Sequence, residues 1–178
     1  MKVAATIAVL GAAPLAAQTA PSAPQTEHRV LVHAGTLIDG VSDRARKDQG
    51  ILIDGERIVE VGPWNTVASH GAGAEQVDLS HATVLPGLID AHTHVLLQGD
   101  VTAADYDEQL LKESIPYRAI RATAAARVAL LDGFTSIRDL ETEGAMFADV
   151  DVKTAIARGV IPGPRMFVST RAFAPTGM

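Results

Sequence analysis

No cysteine occurs among the 178 residues, which excludes a disulfide scaffold and a cysteine-linked lipid anchor in this chain. Aromatic residues are scarce at 4 %, and the net charge is −6. Without a basic cluster interleaved with aromatics, the chain lacks the cationic patch and the stacking surfaces of a nucleic-acid binder. A long apolar run is also missing. The most hydrophobic segment, Val3 to Leu15, is about a dozen residues, whereas a membrane-spanning helix needs about 20. No membrane partner is therefore expected.

What the sequence does have is a hydrophobic fraction of 47 %, ordinary for a globular chain. Its extreme N-terminus reads as an export leader. Lys2 supplies a short positive region, Val3 to Leu15 an apolar one, and Ala16-Ala17-Gln18 small residues for cleavage. Cleavage after Ala17 would leave Leu15 at a position that prefers a small residue. Residues 1–17 are thus expected to be a signal peptide and 18–27, rich in Ala, Pro, Thr, Ser and Gln, a flexible linker. The expected location is periplasmic or secreted.

Residues 28–83 read as a β-rich module. Arg29 to His33 suits a strand, and Thr36 to Gly40 runs into a turn. Ile51-Leu52-Ile53 and Arg57 to Val61 flank Asp54-Gly55, a strong hairpin signal. His28, His33, His70 and His81 lie in this module or at its exit, and none has a partner at ligand spacing. They are expected on the surface or at strand edges.

The most informative stretch follows, Thr83-Val84-Leu85-Pro86-Gly87-Leu88-Ile89-Asp90-Ala91-His92-Thr93-His94. It is an apolar run that turns polar at its end. Side chains on a strand alternate with period two, so His92 and His94 share a face with Cα atoms roughly 6.5 Å apart. Two such histidines also occur as polar residues on a solvated strand. The apolar run and its Pro-Gly lead-in favour a buried parallel strand instead, and burying two imidazoles without partners is costly. Metal ligation answers that cost. Asp90 shares the face of His92; it either orients a ligand histidine or serves as a structural acceptor.

Pro86-Gly87-Leu88-Ile89-Asp90-Ala91-His92-Thr93-His94 resembles the first barrel strand of the amidohydrolase superfamily. The flanking runs support the resemblance: Gly35-Thr36-Leu37-Ile38-Asp39-Gly40 and Ile51-Leu52-Ile53-Asp54-Gly55-Glu56-Arg57-Ile58 upstream, Gly133-Phe134-Thr135-Ser136-Ile137-Arg138-Asp139 and Gly163-Pro164-Arg165 downstream. Their succession is similar to the branch of imidazolonepropionase-like enzymes, Xaa-Pro dipeptidases and ochratoxin-hydrolysing amidohydrolases. The resemblance implies an α/β fold: the N-terminal part of a (β/α)8 barrel preceded by part of a small β-sandwich. It also implies a pair of divalent ions, zinc by expectation, with His92 and His94 on one of them and a metal-activated hydroxide as nucleophile. The bridging carboxylated lysine, two further histidines and the proton-shuttling aspartate are expected beyond Met178. Lys153 sits in an expected helix and is a poor bridge. The implied substrate is a small-molecule amide or dipeptide, and the full-length enzyme is expected to be a homo-oligomer. The alternatives are a non-catalytic metal-binding fragment, or deaminase or cyclic-amidase chemistry.

A barrel of this kind needs about 250 residues, and residues 84–178 have room for about three βα units. The isolated 1–178 is therefore expected to be inactive, with an open barrel edge. Within it, the segment from Leu96 to Asp105 reads as a loop. A helical stretch follows, interrupted near its middle by Pro116, with an Ile120, Ala124, Val128, Leu131 stripe predicted to pack on the barrel and Gly133 as its stop. Phe134 to Leu140 is the second strand. Arg138 and Asp139 at its end either face substrate and metal or form a mutual ion pair. Glu141 and Glu143 are read as loop carboxylates without chemistry. Ala145 to Gly159 is the second helix and Arg165 to Ser169 the third strand. Thr176-Gly177 then begins a match to a Thr-Gly-Gly-His segment that Met178 breaks.

Overall fold

The computed structural model describes residues 28–99 and 103–173. The expected leader, the linker and the Thr176-Gly177-Met178 ending lie outside them. Contact density divides the chain into two units, one holding residues 44–84 with the segment up to Leu37, the other residues 38–43 with the segment from Leu85.

In the first unit, β1 (Arg29–Leu37), β2 (Arg46–Asp54) and β3 (Arg57–Pro63) form an antiparallel meander. β4 (Glu75–Val84) adds to β1 in parallel, giving the order β3-β2-β1-β4. The Asp54-Gly55 hairpin closes on an Asp54–Arg57 pair, as its sequence implies. Between β3 and β4 lies α1 (Trp64–His70), whose Val67 packs with Leu31 and Leu52 on one sheet face. Ala34, Leu37 and Ile51 form the core of the other cluster.

The second unit is built from βα repeats. β5 (Leu88–Thr93), β6 (Phe134–Asp139) and β7 (Arg165–Val168) pair in parallel in that order. Parallel neighbours require a crossover, usually helical. Here α2 (Ala103–Leu111) and α3 (Ile115–Leu131) make the first and α4 (Ala148–Ala157) the second. Ile137 and Met166 point to the helical side and pack with Ala122, Ala148 and Val152. The opposite face is open: Ile89 is 73 % and Phe167 55 % exposed.

Two expectations about the helices are corrected. Pro116 does not interrupt a helix. It sits in the first turn of α3, where its missing N–H has no partner to lose, behind Ser114, whose side chain accepts from Tyr117 N. The stripe Ile120, Val128, Leu131 does not face the sheet, since those residues are 70 %, 54 % and 67 % exposed. The buried face is Arg118, Ala122 and Ala126, an i, i+4, i+8 row of mostly small side chains that lets α3 lie close on β6. Val128 and Ala124 instead line an open groove of about 590 Å3 beside β5. Gly133, at φ +95°, ends the helix in the left-handed conformation as expected.

Candidate metal centre

β5 enters the sheet through a position only glycine fits. A Cβ on Gly87 would lie 2.1 Å from Thr135 Oγ1 on β6, and Thr135 is β-branched and stiff. Leu88 N then donates to Gly133 O at 2.8 Å, setting the start of β5. Pairing with β6 slips between Asp90 and Thr93, so Ala91 and His92 bulge out of the ladder. Two side chains hold the irregularity: Asp90 Oδ1 accepts from His92 N at 3.0 Å, and Arg138 Nε donates to Ala91 O at 3.0 Å. Bulges of this kind re-aim a side chain next to a site. The outcome is convergence. His92 and His94 bring their Nε2 atoms to 3.3 Å, with ring centroids 5.3 Å apart and planes inclined by 63°.

That separation has a chemical meaning. Two imidazole nitrogens bound to one tetrahedral ion at about 2.0–2.1 Å stand roughly 3.3–3.4 Å apart. The observed 3.3 Å matches that separation, and the same approach lets one ring N–H donate to the other ring nitrogen. Among the described residues no group of three or more His, Cys, Asp or Glu is placed to hold a metal ion.

Behind His94 stands Glu143. His94 Nδ1 is sealed from solvent, and Glu143 Oε1 lies 3.5 Å from it. The other oxygen of Glu143 accepts from Tyr106 Oη at 2.7 Å. This bond to the carboxylate, helped by burial, pushes the Tyr106 hydroxyl up to about 12, so it stays a donor at any working pH. Glu143 was read from sequence as a plain loop carboxylate. It lies 49 positions from His94 with no spacing to betray it; its place in the turn after a barrel-type strand, where such sites gather, is the one available signal.

The floor beneath the site is polar and buried. Asp139 ends β6 and accepts from Val95 N at 2.9 Å through Oδ1, while Oδ2 is buried without a partner. Burial pushes its carboxyl up to about 6, against the pull of the Val95 hydrogen bond, and the neighbouring Asp149 adds to the rise. Arg118, also buried, donates from Nε and Nη2 to Leu96 O and from Nη2 to Thr142 O. Burial lowers its pKa from the ordinary value, yet guanidinium remains charged. One side chain thus ties the loop after β5 to the loop after β6.

Comparison with known proteins fits this geometry. Residues 83–174, just over half of the chain, match the amidohydrolase family. The chain belongs to the amidohydrolase family. It is 35 % identical over 93 residues to an imidazolonepropionase from Arthrobacter sp. (strain FB24), covering 52 % of this chain and 22 % of that protein. A solved Xaa-Pro dipeptidase with bound methionine superposes with a TM-score of 0.73 at 33 % identity, over 84 % of this chain and 35 % of that one. The ochratoxinase of A. niger shares the fold, with a TM-score of 0.65 at 23 % identity over 80 % of this chain and 31 % of that one. The chain spans about a third or less of the length of these proteins.

Against this amidohydrolase frame, the other sequence candidates fall into place. Asp90 takes the structural alternative, accepting from a backbone N–H rather than from an imidazole. Arg138 and Asp139 do not pair. Adjacent residues on a strand point to opposite faces, and each takes its own partner, Ala91 O and Val95 N. His28, His33 and His70 each sit against a carboxylate of their own unit, Glu75, Asp48 and Glu60. Lys153 lies within α4, as expected.

Proposed function

We propose that His92 and His94 are two ligands of a divalent ion in an enzyme that hydrolyses an amide or peptide-like C–N bond of a small molecule. The observation that carries this reading is the 3.3 Å approach of the two Nε2 atoms, brought about by a bulge that two further side chains maintain. The ion, when bound, supplies Lewis acidity and lowers the pKa of a bound water to about 7. The residues of this chain prepare that chemistry. Asp90 and Arg138 keep His92 aimed, Asp139 anchors the backbone after His94, and Arg118 keeps the two loops together.

Family membership supports zinc, in a pair, as the metal. The remaining ligands, a bridging carboxylated lysine, two histidines and a proton-shuttling aspartate, are proposed to come from segments outside these 178 residues. The likeness to an Xaa-Pro dipeptidase supports Xaa-Pro dipeptides as substrates; N-acyl amino acids and ochratoxin-like aryl amides are the further candidates. The leader-like residues 1–17 support export to the periplasm or medium. The isolated chain is proposed to bind metal weakly and turn nothing over.

The test is a His92→Ala/His94→Ala double variant of the full-length protein. Metal content by elemental analysis and hydrolysis of a panel of such amides should both fall to background. A double variant that kept full metal content and full activity would overturn the proposal.

A further inference from the structure

We propose that Glu143, braced by Tyr106, is a positioning residue that holds the His94 proton on Nδ1 and so leaves the Nε2 lone pair facing His92. The proposal rests on the metal reading of the two histidines and adds to it a residue outside the ligand set.

A neutral imidazole carries one ring proton. If His94 Nε2 is to coordinate, that proton sits on Nδ1, and the protonated nitrogen needs an acceptor. His94 Nδ1 is buried from solvent and is not hydrogen-bonded. Glu143 Oε1 at 3.5 Å stands in its path. That distance exceeds a formed hydrogen bond and lies within the range of an ion pair.

Glu143 is built into place. Its side chain is 12 % exposed, whereas the surface pair His28–Glu75 is 69 % and 62 % exposed. Its second oxygen is occupied by Tyr106 Oη, so the carboxylate presents the first toward His94. Its backbone is in the left-handed region at φ +49°, a conformation that is unfavourable for a non-glycine residue and clusters at functional sites. The turn is pinned on both sides. Thr142 N donates to Thr170 O, Thr142 O accepts from Arg118 Nη2, and Ala145 N donates to Thr142 O. A loop carboxylate without a task needs none of this. His92 is held differently, through its backbone N–H by Asp90, so the two histidines are positioned by separate devices.

The experiment uses the full-length protein, with Zn2+ affinity measured by competition against a chromophoric chelator and the His94 tautomer read by 15N NMR of histidine-labelled, metal-free protein. Glu143→Ala should weaken Zn2+ binding about 10- to 100-fold and move the His94 proton signature away from Nδ1. Glu143→Gln keeps a neutral acceptor and should restore most of both. Tyr106→Phe should shift both in the direction of Glu143→Ala, by less. His94→Ala serves as the reference. Unchanged affinity and tautomer in Glu143→Ala, with affinity lost in His94→Ala, overturn the positioning role and leave the metal reading standing. Unchanged affinity in His94→Ala overturns the metal reading itself. Should Glu143→Ala not fold, Glu143→Gln and Tyr106→Phe decide: wild-type tautomer in the hydroxyl-less variant overturns the brace.

Discussion

Asp139 is fully buried at the end of β6, with one oxygen on Val95 N and the other without a partner. Its carboxyl is pushed up to about 6, chiefly by burial, against about 3.9 in an unfolded chain. Between those values the folded chain binds more protons than the unfolded one. Stability therefore falls as pH rises from about 4 to about 6, and the loss, on the order of 3 kcal/mol at most, is complete above about 6. Asp139→Asn removes the titration while keeping an acceptor for Val95 N. Denaturant unfolding at several pH values should show the variant gaining on the parent as pH rises through that window. A constant difference between the two proteins would refute this account. Glu143 belongs at the same scale but was harder to see. The pair His92 and His94 is visible because strand alternation is local, whereas the meeting of Glu143, Tyr106 and His94 depends on two loops and a helix that no short pattern encodes.

Among the elements, α3 shows where patterning misleads. A stripe of large apolar residues is the usual mark of a buried helical face, and Ile120, Val128 and Leu131 supply one. Buried instead are Ala122, which packs with Ile137 and Met166 of the sheet, and Ala126. Ala122→Leu should therefore destabilise the chain by about 1–3 kcal/mol through overpacking. Ile120→Ala should change stability by less than about 0.5 kcal/mol. Thermal or denaturant melts of the two variants check the assignment, and the reverse ranking would restore the stripe to the core. By contrast, β2 and β3 with their Asp54-Gly55 turn, and β5, β6 and β7 as apolar runs behind Gly or Pro, were legible from local signals. α1 and β4 were not. The first spans only Trp64–His70, and the second, Glu75–Val84, is largely exposed and carries no clean alternation.

At the scale of the molecule the two sheets end differently. Edge strands invite pairing with other chains, and proteins blunt them with charge and proline. The edge strand β3 carries Arg57, Glu60 and Pro63, and β4 at the other edge carries Glu75 and Asp78. The parallel sheet is guarded more thinly, by Asp90 on β5 and Arg165 on β7. β5 reads Leu-Ile-Asp-Ala-His-Thr and β7 reads Arg-Met-Phe-Val, with Ile89 and Phe167 bare on the open face. Purified 1–178 should accordingly self-associate with increasing concentration, as read by sedimentation or light scattering, and Ile89→Lys should reduce that association. Equal association of both proteins would show that this sheet is not the contact.

The thinly guarded edge at β5 also bears on the proposed chemistry. His92 lies on the same strand whose backbone edge is open to pairing. On the metal reading, a strand that paired there would also shelter the two imidazoles, and metal selectivity would depend on that closure as well as on the two histidines.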